Sequence, residues 1–235
     1  MRGTGNDFFS TAGERTGDAV NPVRTSLIHK ILEPQRKGPS NYPTLILLHG
    51  RGANEDDLLG LAEYLDDRLL IVSARAPFPF ALGGGFTWFE IEEVGKPEPK
   101  MFGESYRKLI QFIDDIRKGY PVDQSKIILC GFSMGSVMSY AIGLTRPELV
   151  AGVAANSGYI TEESDLKIQW KEVKGKPFFI AHGVYDPVIP VSFARRAKEL
   201  LEPHRAAVTY REYDMGHQIT EDSLNDMMRW LTQHI

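Results

Sequence analysis

The sequence predicts an α/β fold in which a mostly parallel central sheet carries helices on both of its faces. Apolar segments typical of strands alternate along the chain with segments of helical spacing, and this alternation is typical of a parallel sheet with right-handed crossovers. Several strand segments, such as TLILLHG (44–50), are apolar almost throughout, as expected for strands covered on both faces. The length of 235 residues suits a single domain of this class.

The composition excludes several other classes of protein. Hydrophobic residues make up 42% and charged residues 25% of the chain, which are ordinary globular proportions. The formal net charge of −4 argues against a general nucleic-acid binder. The single cysteine, Cys130, rules out an internal disulfide and fits a reducing compartment. Because no apolar run approaches the roughly 18 residues of a membrane span and no secretory signal is recognisable, we expect a cytoplasmic protein without stable membrane insertion.

The first 22 residues differ in composition from the rest of the chain. They are rich in Gly, Thr, Asn and Asp and show no periodicity, which predicts a poorly ordered arm. The pair Phe8-Phe9 leaves open that the arm docks on its own domain or on a neighbouring subunit, and with it a homodimer. Residues 23–235 are expected to form the α/β domain.

The first half of that domain is expected to supply three strands and a helix. TSLIHKIL (25–32) alternates as an antiparallel edge strand does, and TLILLHG and LLIVSA (69–74) are buried strands. The spacing of Leu58, Leu59, Ala62 and Leu65 predicts a helix over 54–65. Four prolines and a run of three glycines make 75–100 mostly loop, with FTWFEI (86–91) as a short strand.

The second half alternates more regularly. Helices are predicted at Met101–Lys118, 136–145 (ending before Pro147), Ser192–Leu201 and Glu221–Ile235. Strands are predicted at KIILC (126–130), LVAGVAANS (149–157), PFFIAHG (177–183) and AVTYREY (207–213). Only a short polar segment separates LVAGVAANS from PFFIAHG, which argues against a large cap domain at that point.

GFSMG (131–135) follows the end of KIILC and matches the pattern G-x-S-x-G. Between a strand and a helix this pattern predicts a strained turn that lifts the Ser133 hydroxyl above the sheet. The positive end of the following helix favours an oxyanion there. A glycine-rich turn without catalytic role is the alternative, since a pattern with three fixed positions recurs by chance. The flanking strand and helix favour a nucleophile.

A serine nucleophile needs a base and a carboxylate that orients the base. His217 follows the strand AVTYREY and opens the last predicted helix, so it is the preferred base. Asp186, in the loop after PFFIAHG, is the preferred acid. Asp214 is its rival, but its closeness to His217 in sequence makes it awkward as an orienting partner. The other histidines are expected to be structural or solvated: His29, His49, His182, His204 and His234. Of these, His49 is expected to pin the loop after TLILLHG, and His182 to form hydrogen bonds at its strand end.

Acyl transfer also needs two N–H donors for the developing oxyanion. In a strand–turn–helix arrangement of this kind, one donor is the residue after the nucleophile, here Met134. The second comes from the loop after an early strand, and the glycines of LLHGRGANEDD (47–57) make Arg51 the best candidate. The aromatic residues of segment 75–100 are expected to form one wall of the pocket, with plain core packing as the alternative.

Five motifs in this order, LHGRGANEDDL, APFPFALGGGFTWFE, GFSMGS, AHGVYDPVIPV and YDMGHQI, resemble the phospholipase/carboxylesterase family of α/β-hydrolases. That family includes acyl-protein thioesterases and many small bacterial carboxylesterases. The resemblance runs from about residue 24 to the C-terminus. It implies an α/β-hydrolase fold, a triad of Ser133, Asp186 and His217, and oxyanion N–H groups from Arg51 and Met134.

The resemblance also implies a substrate pocket and leaves its preference open. It places Trp88 and the glycine run near the acyl group, and we expect substrate contacts from Trp88, Phe89, Gly84 and Leu58. Family members that act on acyl-proteins commonly carry Leu and Gln at the positions of Arg51 and Met134. Backbone donation survives both changes, whereas the effect on substrate preference is open.

We therefore expect a serine carboxylesterase that hydrolyses short- to medium-chain esters through an acyl-enzyme. A thioesterase, a lysophospholipase or a peptidase is the enzymatic alternative. A hydrolase-fold protein that binds a small apolar ligand without turning it over is the non-enzymatic one. The sequence has no His/Cys cluster typical of a metal site and no dinucleotide fingerprint. We expect no metal or cofactor, and a small-molecule ester as the partner.

Overall fold

The computed structural model describes residues 23–36, 38, 40–81 and 83–235. The predicted arm of residues 1–22 lies outside the described residues. The first half of the domain contributes β1 (His29–Leu32), β2 (Tyr42–Leu48), β3 (Leu70–Ala74), the short strands β4 (Phe78–Pro79), β5 (Phe86–Thr87), β6 (Ile91–Glu93) and β7 (Lys96–Pro97), and α1 (Pro99–Gly119). The second half contributes β8 (Val122–Phe132), α2 (Met134–Thr145), β9 (Gly152–Asn156), β10 (Pro177–Gly183), α3 (Ser192–Leu201), β11 (Ala207–Tyr213) and α4 (Glu221–His234).

Seven strands form the central sheet in the order β1-β3-β2-β8-β9-β10-β11. β1 is antiparallel to β3 at one edge, and the remaining neighbours are parallel. The alternating pattern of segment 25–32 and the continuous apolar runs after it predicted this difference. Because the strands are parallel, the loops that follow β2, β8, β10 and β11 all meet at the carboxyl edge of the sheet.

Both faces of the sheet are buried, as the apolar strands predicted. In β2, Ile46 and Leu48 belong to a core cluster with α1 and α2, whereas Leu45 and Leu47 belong to a cluster with α4. All four side chains are fully buried. Successive residues of a strand point to opposite faces, so a strand between two helical layers carries apolar residues on both of its faces.

The helix predicted over 54–65 is present only in part, and as a 3₁₀ helix. The chain turns at 54–57 and then forms a 3₁₀ helix, Leu58–Tyr64. The Asn54 side chain accepts the N–H of Asp56 at 2.8 Å, and Leu65 bonds back to Ala62 three residues earlier. An asparagine that binds its own backbone competes with α-helix formation, and three-residue bonds define the tighter helix. The apolar spacing was compatible with both.

The predicted strand FTWFEI is interrupted: Phe86–Thr87 pairs with Phe78–Pro79 as a small hairpin (β4–β5), and Ile91 begins β6. The second short hairpin, β6–β7, pairs Ile91 with Pro97. Both hairpins lie outside the central sheet. In the part of the chain that the structure describes, no helix has the length and apolar character needed to cross a membrane.

A surface ion pair joins α3 to β11. Arg195 donates two hydrogen bonds of 2.8 Å to the carboxylate of Glu212, and the Tyr210 hydroxyl donates a third at 2.6 Å. These bonds hold the pKa of Glu212 at about 2, below its ordinary value of 4.5.

Candidate active site

Ser133 occupies the strained turn between β8 and α2 that GFSMG predicted. Its backbone angles are φ 54° and ψ −118°, and a positive φ at a residue with a Cβ atom costs about 1–3 kcal/mol. The flanking glycines are required by close contact. A Cβ atom at Gly131 would lie 2.3 Å from the backbone of Gly135, and one at Gly135 would lie 1.9 Å from the carbonyl oxygen of Leu48. The turn therefore tolerates no side chain two residues before the serine or two residues after it.

A buried polar network holds the turn from below. Asn156, at the end of β9, donates its side-chain N–H to the carbonyl of Gly131 at 3.1 Å. The Ser136 hydroxyl lies 2.7 Å from the same carbonyl. The backbone N–H of Ser133 donates to the carbonyl of Asn156 at 2.9 Å. These bonds over-determine the backbone of the turn, which is the condition for a strained residue to persist.

His217 and Asp186 are joined by a hydrogen bond of 2.7 Å between Nδ1 and Oδ2. The other carboxylate oxygen, Oδ1, accepts the backbone N–H groups of Val188 at 2.9 Å and of Ile189 at 2.8 Å. Burial raises the pKa of Asp186, but the hydrogen bonds from Ile189, His217 and Val188 outweigh it and hold the pKa below its ordinary value. Because an ionised carboxylate only accepts hydrogen bonds, Nδ1 of His217 carries its proton and Nε2 is free to receive another.

His182 forms hydrogen bonds at its strand end, as the sequence predicted, and these bonds support the loop that carries Asp186. It is fully buried, and its Nε2 donates to the carbonyl of Ile189 at 2.7 Å. The same nitrogen lies 3.4 Å from Asp186 Oδ2. Burial lowers the pKa of His182, so the ring is neutral and its part in the site is structural.

A cavity of about 350 Å³ opens above Ser133. Ser133, His217, Arg51 and Met134 all line it, while Asp186 lies buried behind the His217 ring. The structure thus brings the predicted nucleophile, base and oxyanion donors to one space. The residues that complete the lining are Gly50, Ala53, Asp57, Ile91, Val94, Phe132, Tyr159, Val188 and Ile189.

The two residues predicted to donate backbone N–H groups to an oxyanion, Arg51 and Met134, both line the cavity. Met134 is the first residue of α2, so its N–H has no acceptor within the helix. Arg51 lies in the loop after β2, which His49 fixes. The N–H of Ala76 donates to His49 Nε2 at 3.0 Å, so the proton sits on Nδ1, which donates to the carbonyl of Gly50 at 2.6 Å. Burial lowers the pKa of His49 and keeps it neutral. Its predicted role as the pin of this loop is confirmed.

The hairpin β4–β5 forms backbone hydrogen bonds with the loop that carries Arg51. The N–H of Gly52 donates to the carbonyl of Phe86 at 2.9 Å, and the N–H of Phe86 donates to the carbonyl of Ala53 at 2.7 Å. A Cβ atom at Gly85 would lie 2.1 Å from the carbonyl oxygen of Gly52. The loop that carries Arg51 is therefore held from two sides.

The side chain of Arg51 reaches the rim of the cavity. Its guanidinium pairs with Glu90 at 2.5 Å and lies 4.6 Å from the centre of the Phe80 ring. Both charged side chains are partly exposed, so the pair contributes little to stability. It leaves the mouth of the cavity without a free positive charge at Arg51.

The predicted substrate contacts of four residues need correction, because none of them lines the cavity. Trp88 and Phe89 are fully buried, and a fully buried side chain offers a substrate no surface. The Trp88 indole donates to the carbonyl of His49 at 2.9 Å, so it supports the loop from behind. Leu58 belongs to the core cluster under α4, and Gly84 lies at the exposed tip of the β4–β5 hairpin. For Trp88 and Phe89, core packing, which was the stated alternative, is therefore what the structure shows.

The apolar wall of the cavity comes from residues that the sequence analysis did not select. Ile91 and Val94 extend from the β6–β7 hairpin, and Val188 and Ile189 follow Asp186. Tyr159 follows β9, and burial raises the pKa of its phenol to about 12. The rule that ligands bind beyond strand ends could have found the residues after β9 and β10. Nothing in the pattern of segment 91–94 marks it as a wall.

Among the described residues, no three His, Cys, Asp or Glu side chains are grouped to hold a metal ion.

The chain is similar to known proteins over most of its length. The model of the phospholipase/carboxylesterase family matches residues 29–235. Acyl-protein thioesterase 1 of Candida albicans is 27% identical over 214 residues, which cover 83% of this chain and 93% of the relative. The crystal structure of the Bacillus cereus carboxylesterase superposes with a TM-score of 0.78 at 25% identity and covers 89% of this chain and 95% of that one. A carboxylesterase from Mesorhizobium loti shares the fold with a TM-score of 0.78 at 23% identity over 90% and 98% of the two chains.

Proposed function

The chain belongs to the phospholipase/carboxylesterase family of α/β-hydrolases, and from that premise we propose that it is a serine carboxylesterase that hydrolyses short- to medium-chain esters through an acyl-enzyme. It is a hydrolase of the carboxylesterase and thioesterase type. The observation that carries the proposal is the Asp186–His217 hydrogen bond, beside a strained serine on the same cavity.

In the proposed reaction, the Ser133 hydroxyl attacks the ester carbonyl carbon and its proton passes to Nε2 of His217. The oxyanion accepts hydrogen bonds from the N–H groups of Arg51 and Met134, and the loss of one such donor costs about 2.7–4 kcal/mol in the transition state. His217 then returns the proton to the alcohol oxygen as the ester C–O bond breaks. The acyl group stays on Ser133 Oγ until water, activated by His217, completes the hydrolysis.

The cavity supports a substrate with an apolar acyl group of limited length. After the alcohol leaves, only the acyl group remains attached to Ser133, so the apolar wall of Ile91, Val94 and Tyr159 is available to hold it. A volume of about 350 Å³ is near the lower end of ordinary ligand pockets. Short and medium acyl chains fit that volume better than long ones.

Removal of the hydroxyl tests the proposal. Ser133→Ala should abolish hydrolysis of p-nitrophenyl butanoate and labelling by a fluorophosphonate probe, with Ser125→Ala, an exposed serine in β8, as the matched control. Wild-type protein that binds the ester without hydrolysing it, and resists the probe, would instead support the non-enzymatic alternative. Substantial activity in Ser133→Ala would show that another residue is the nucleophile.

A thioesterase is the second candidate, because the relatives with whole-chain similarity include proteins named acyl-protein thioesterase 1. The same acyl-enzyme chemistry cleaves both bonds, so the geometry does not separate them. Rates on butanoyl esters and butanoyl thioesters of matched leaving-group pKa decide between the two. A kcat/KM at least tenfold higher for the thioester would replace the carboxylesterase assignment.

We place this activity in the cytoplasm, on a small-molecule ester. The support is the single cysteine, Cys130, which is buried as a free thiol and fits a reducing compartment. Activity found in the soluble fraction of the cytoplasm after cell fractionation supports the placement, and activity found only in exported fractions contradicts it.

A further inference from the structure

A second cavity lies beside the one above Ser133. Its volume is about 390 Å³, comparable with the first. It is lined by Glu93, Val94, Gly95, Lys96, Ile160, Glu162, Glu163, Ser192, Phe193, Arg196 and Ala197. Among the described residues, Val94 is the one side chain that lines both cavities.

Three side chains lie where the two cavities meet: Val94, Tyr159 and Phe193. Val94 stands at the turn of the β6–β7 hairpin and is half-buried. The rings of Tyr159, which lines the first cavity, and Phe193, which lines the second, pack with their centroids 5.5 Å apart. The hairpin is seated on this aromatic pair, because a Cβ atom at Gly95 would lie 3.3 Å from the Phe193 ring.

The second cavity has an apolar floor and a charged rim. Phe193 and Ile160 supply the floor, and Ile160 keeps 7% of its surface exposed. At the rim, Lys96 pairs with Glu93 at 2.6 Å, and Arg196 pairs with Glu162 at 2.6 Å. Four of the five charged lining residues are paired with each other in this way, and the fifth, Glu163, is exposed to solvent, so the rim does not demand a charged ligand. The floor can cover an apolar chain that enters from the side of Val94.

We propose that Val94 determines the acyl-chain length that the enzyme accepts, by closing an acyl subsite formed by the second cavity. This inference rests on the proposed function, in which the acyl group lies against Ile91, Val94 and Tyr159. The isopropyl group of Val94 blocks the path of a chain that has filled the first cavity. A smaller side chain at this position joins the two cavities into one trough.

The expected size follows from the burial of methylene groups. Each CH₂ moved from water to an apolar surface contributes about fourfold to binding. Two or three methylenes on the floor of the second cavity therefore raise kcat/KM for a long chain, relative to a short one, by about 16- to 60-fold. Incomplete contact makes a tenfold rise the smallest change that supports the proposal.

The test measures kcat/KM for p-nitrophenyl esters from butanoate to dodecanoate. Val94→Ala should raise the ratio of decanoate to butanoate rates at least tenfold. Val94→Leu, which enlarges the partition, should lower the same ratio and serves as a second measurement if Val94→Ala fails to fold. Adding Ser192→Trp, an exposed change at the rim of the second cavity, to Val94→Ala should return the ratio to its wild-type value.

A series of butanoate esters with lengthening alcohols separates the acyl from the alcohol side. The proposal is overturned if Val94→Ala leaves the acyl profile unchanged, if it shifts the alcohol profile instead, or if Ser192→Trp does not reverse the gain. Failure of the proposed function looks different, since wild-type protein would then not hydrolyse butanoate at all.

Discussion

Replacement of Asp186 by asparagine should disable the base while it leaves the fold intact. Oδ1 of Asp186 accepts two backbone N–H groups, from Val188 and Ile189. An asparagine can keep both bonds only if its carbonyl oxygen takes the place of Oδ1. Its NH₂ group then occupies the place of Oδ2 and donates to His217 Nδ1. The imidazole is forced to carry its proton on Nε2, where it can no longer accept one from Ser133.

The size of the loss follows from that tautomer. An asparagine that imposes the wrong tautomer on a serine hydrolase costs about 10⁴-fold in kcat, whereas substrate binding depends on other residues. We expect kcat for p-nitrophenyl butanoate to fall by about 10³- to 10⁴-fold, with KM changed less than severalfold. The circular dichroism spectrum should match that of the wild type, because both backbone bonds are kept.

Asp214 provides the matched control. It precedes His217 closely in sequence and is exposed, and Asp214→Asn should leave kcat within about twofold of the wild type, since surface changes away from special features have small effects. The reasoning is refuted if Asp186→Asn keeps more than a tenth of the activity, or if Asp214→Asn loses as much. Either result would mean that the 2.7 Å bond to Asp186 does not orient the base.

Three further outcomes are expected. Gly135→Ala should lose nearly all activity and, in a urea titration, about 3 kcal/mol of unfolding free energy, because its Cβ atom would lie 1.9 Å from a carbonyl oxygen of β2. The control Gly60→Ala places its Cβ atom where nothing lies within 4 Å. In the same titration it should stay within about 1 kcal/mol of the wild type. Trp88→Phe should lower the unfolding free energy by about 1–3 kcal/mol, because the buried carbonyl of His49 loses its hydrogen-bond donor. The kcat should fall while the affinity for a non-reactive ester analogue stays unchanged. An unchanged kcat would contradict the role of Trp88 in supporting the Arg51 loop. The lowered pKa of Glu212 contributes stability above pH 4.5 that is lost as the pH falls toward 2. The unfolding free energy of Glu212→Gln should therefore fall less steeply than that of the wild type across that range. Parallel curves of unfolding free energy against pH would contradict the lowered pKa of Glu212.

The sheet and the turn at Ser133 could be predicted because their causes are local. A strand buried on both faces is apolar at almost every position, and a turn this tight needs glycine two residues before and two residues after the serine. Those requirements are visible in β2 and in GFSMG. The same holds for α3 and β11, whose predicted bounds agree with the structure.

The substrate pocket could not be predicted, because its cause is the tertiary packing of loops. Trp88 lies in a loop rich in Pro and Gly, yet its indole is fully buried; composition does not distinguish an aromatic residue that lines a cavity from one that packs behind it. The role of Val94 depends on where the β6–β7 hairpin rests, and Phe193, almost a hundred residues later, decides that. The region 54–65 shows a third limit, since apolar spacing alone does not separate an α-helix from a 3₁₀ helix.

The positive φ of Ser133 has a consequence for the protein as a whole. Glycine would adopt this conformation with almost no strain, so the chain gives up part of its folding stability in order to present a hydroxyl. A descendant protein that no longer needed the Ser133 hydroxyl could carry glycine at this position and have a higher free energy of unfolding. Selection for stability alone would favour glycine at position 133 over the serine that is present.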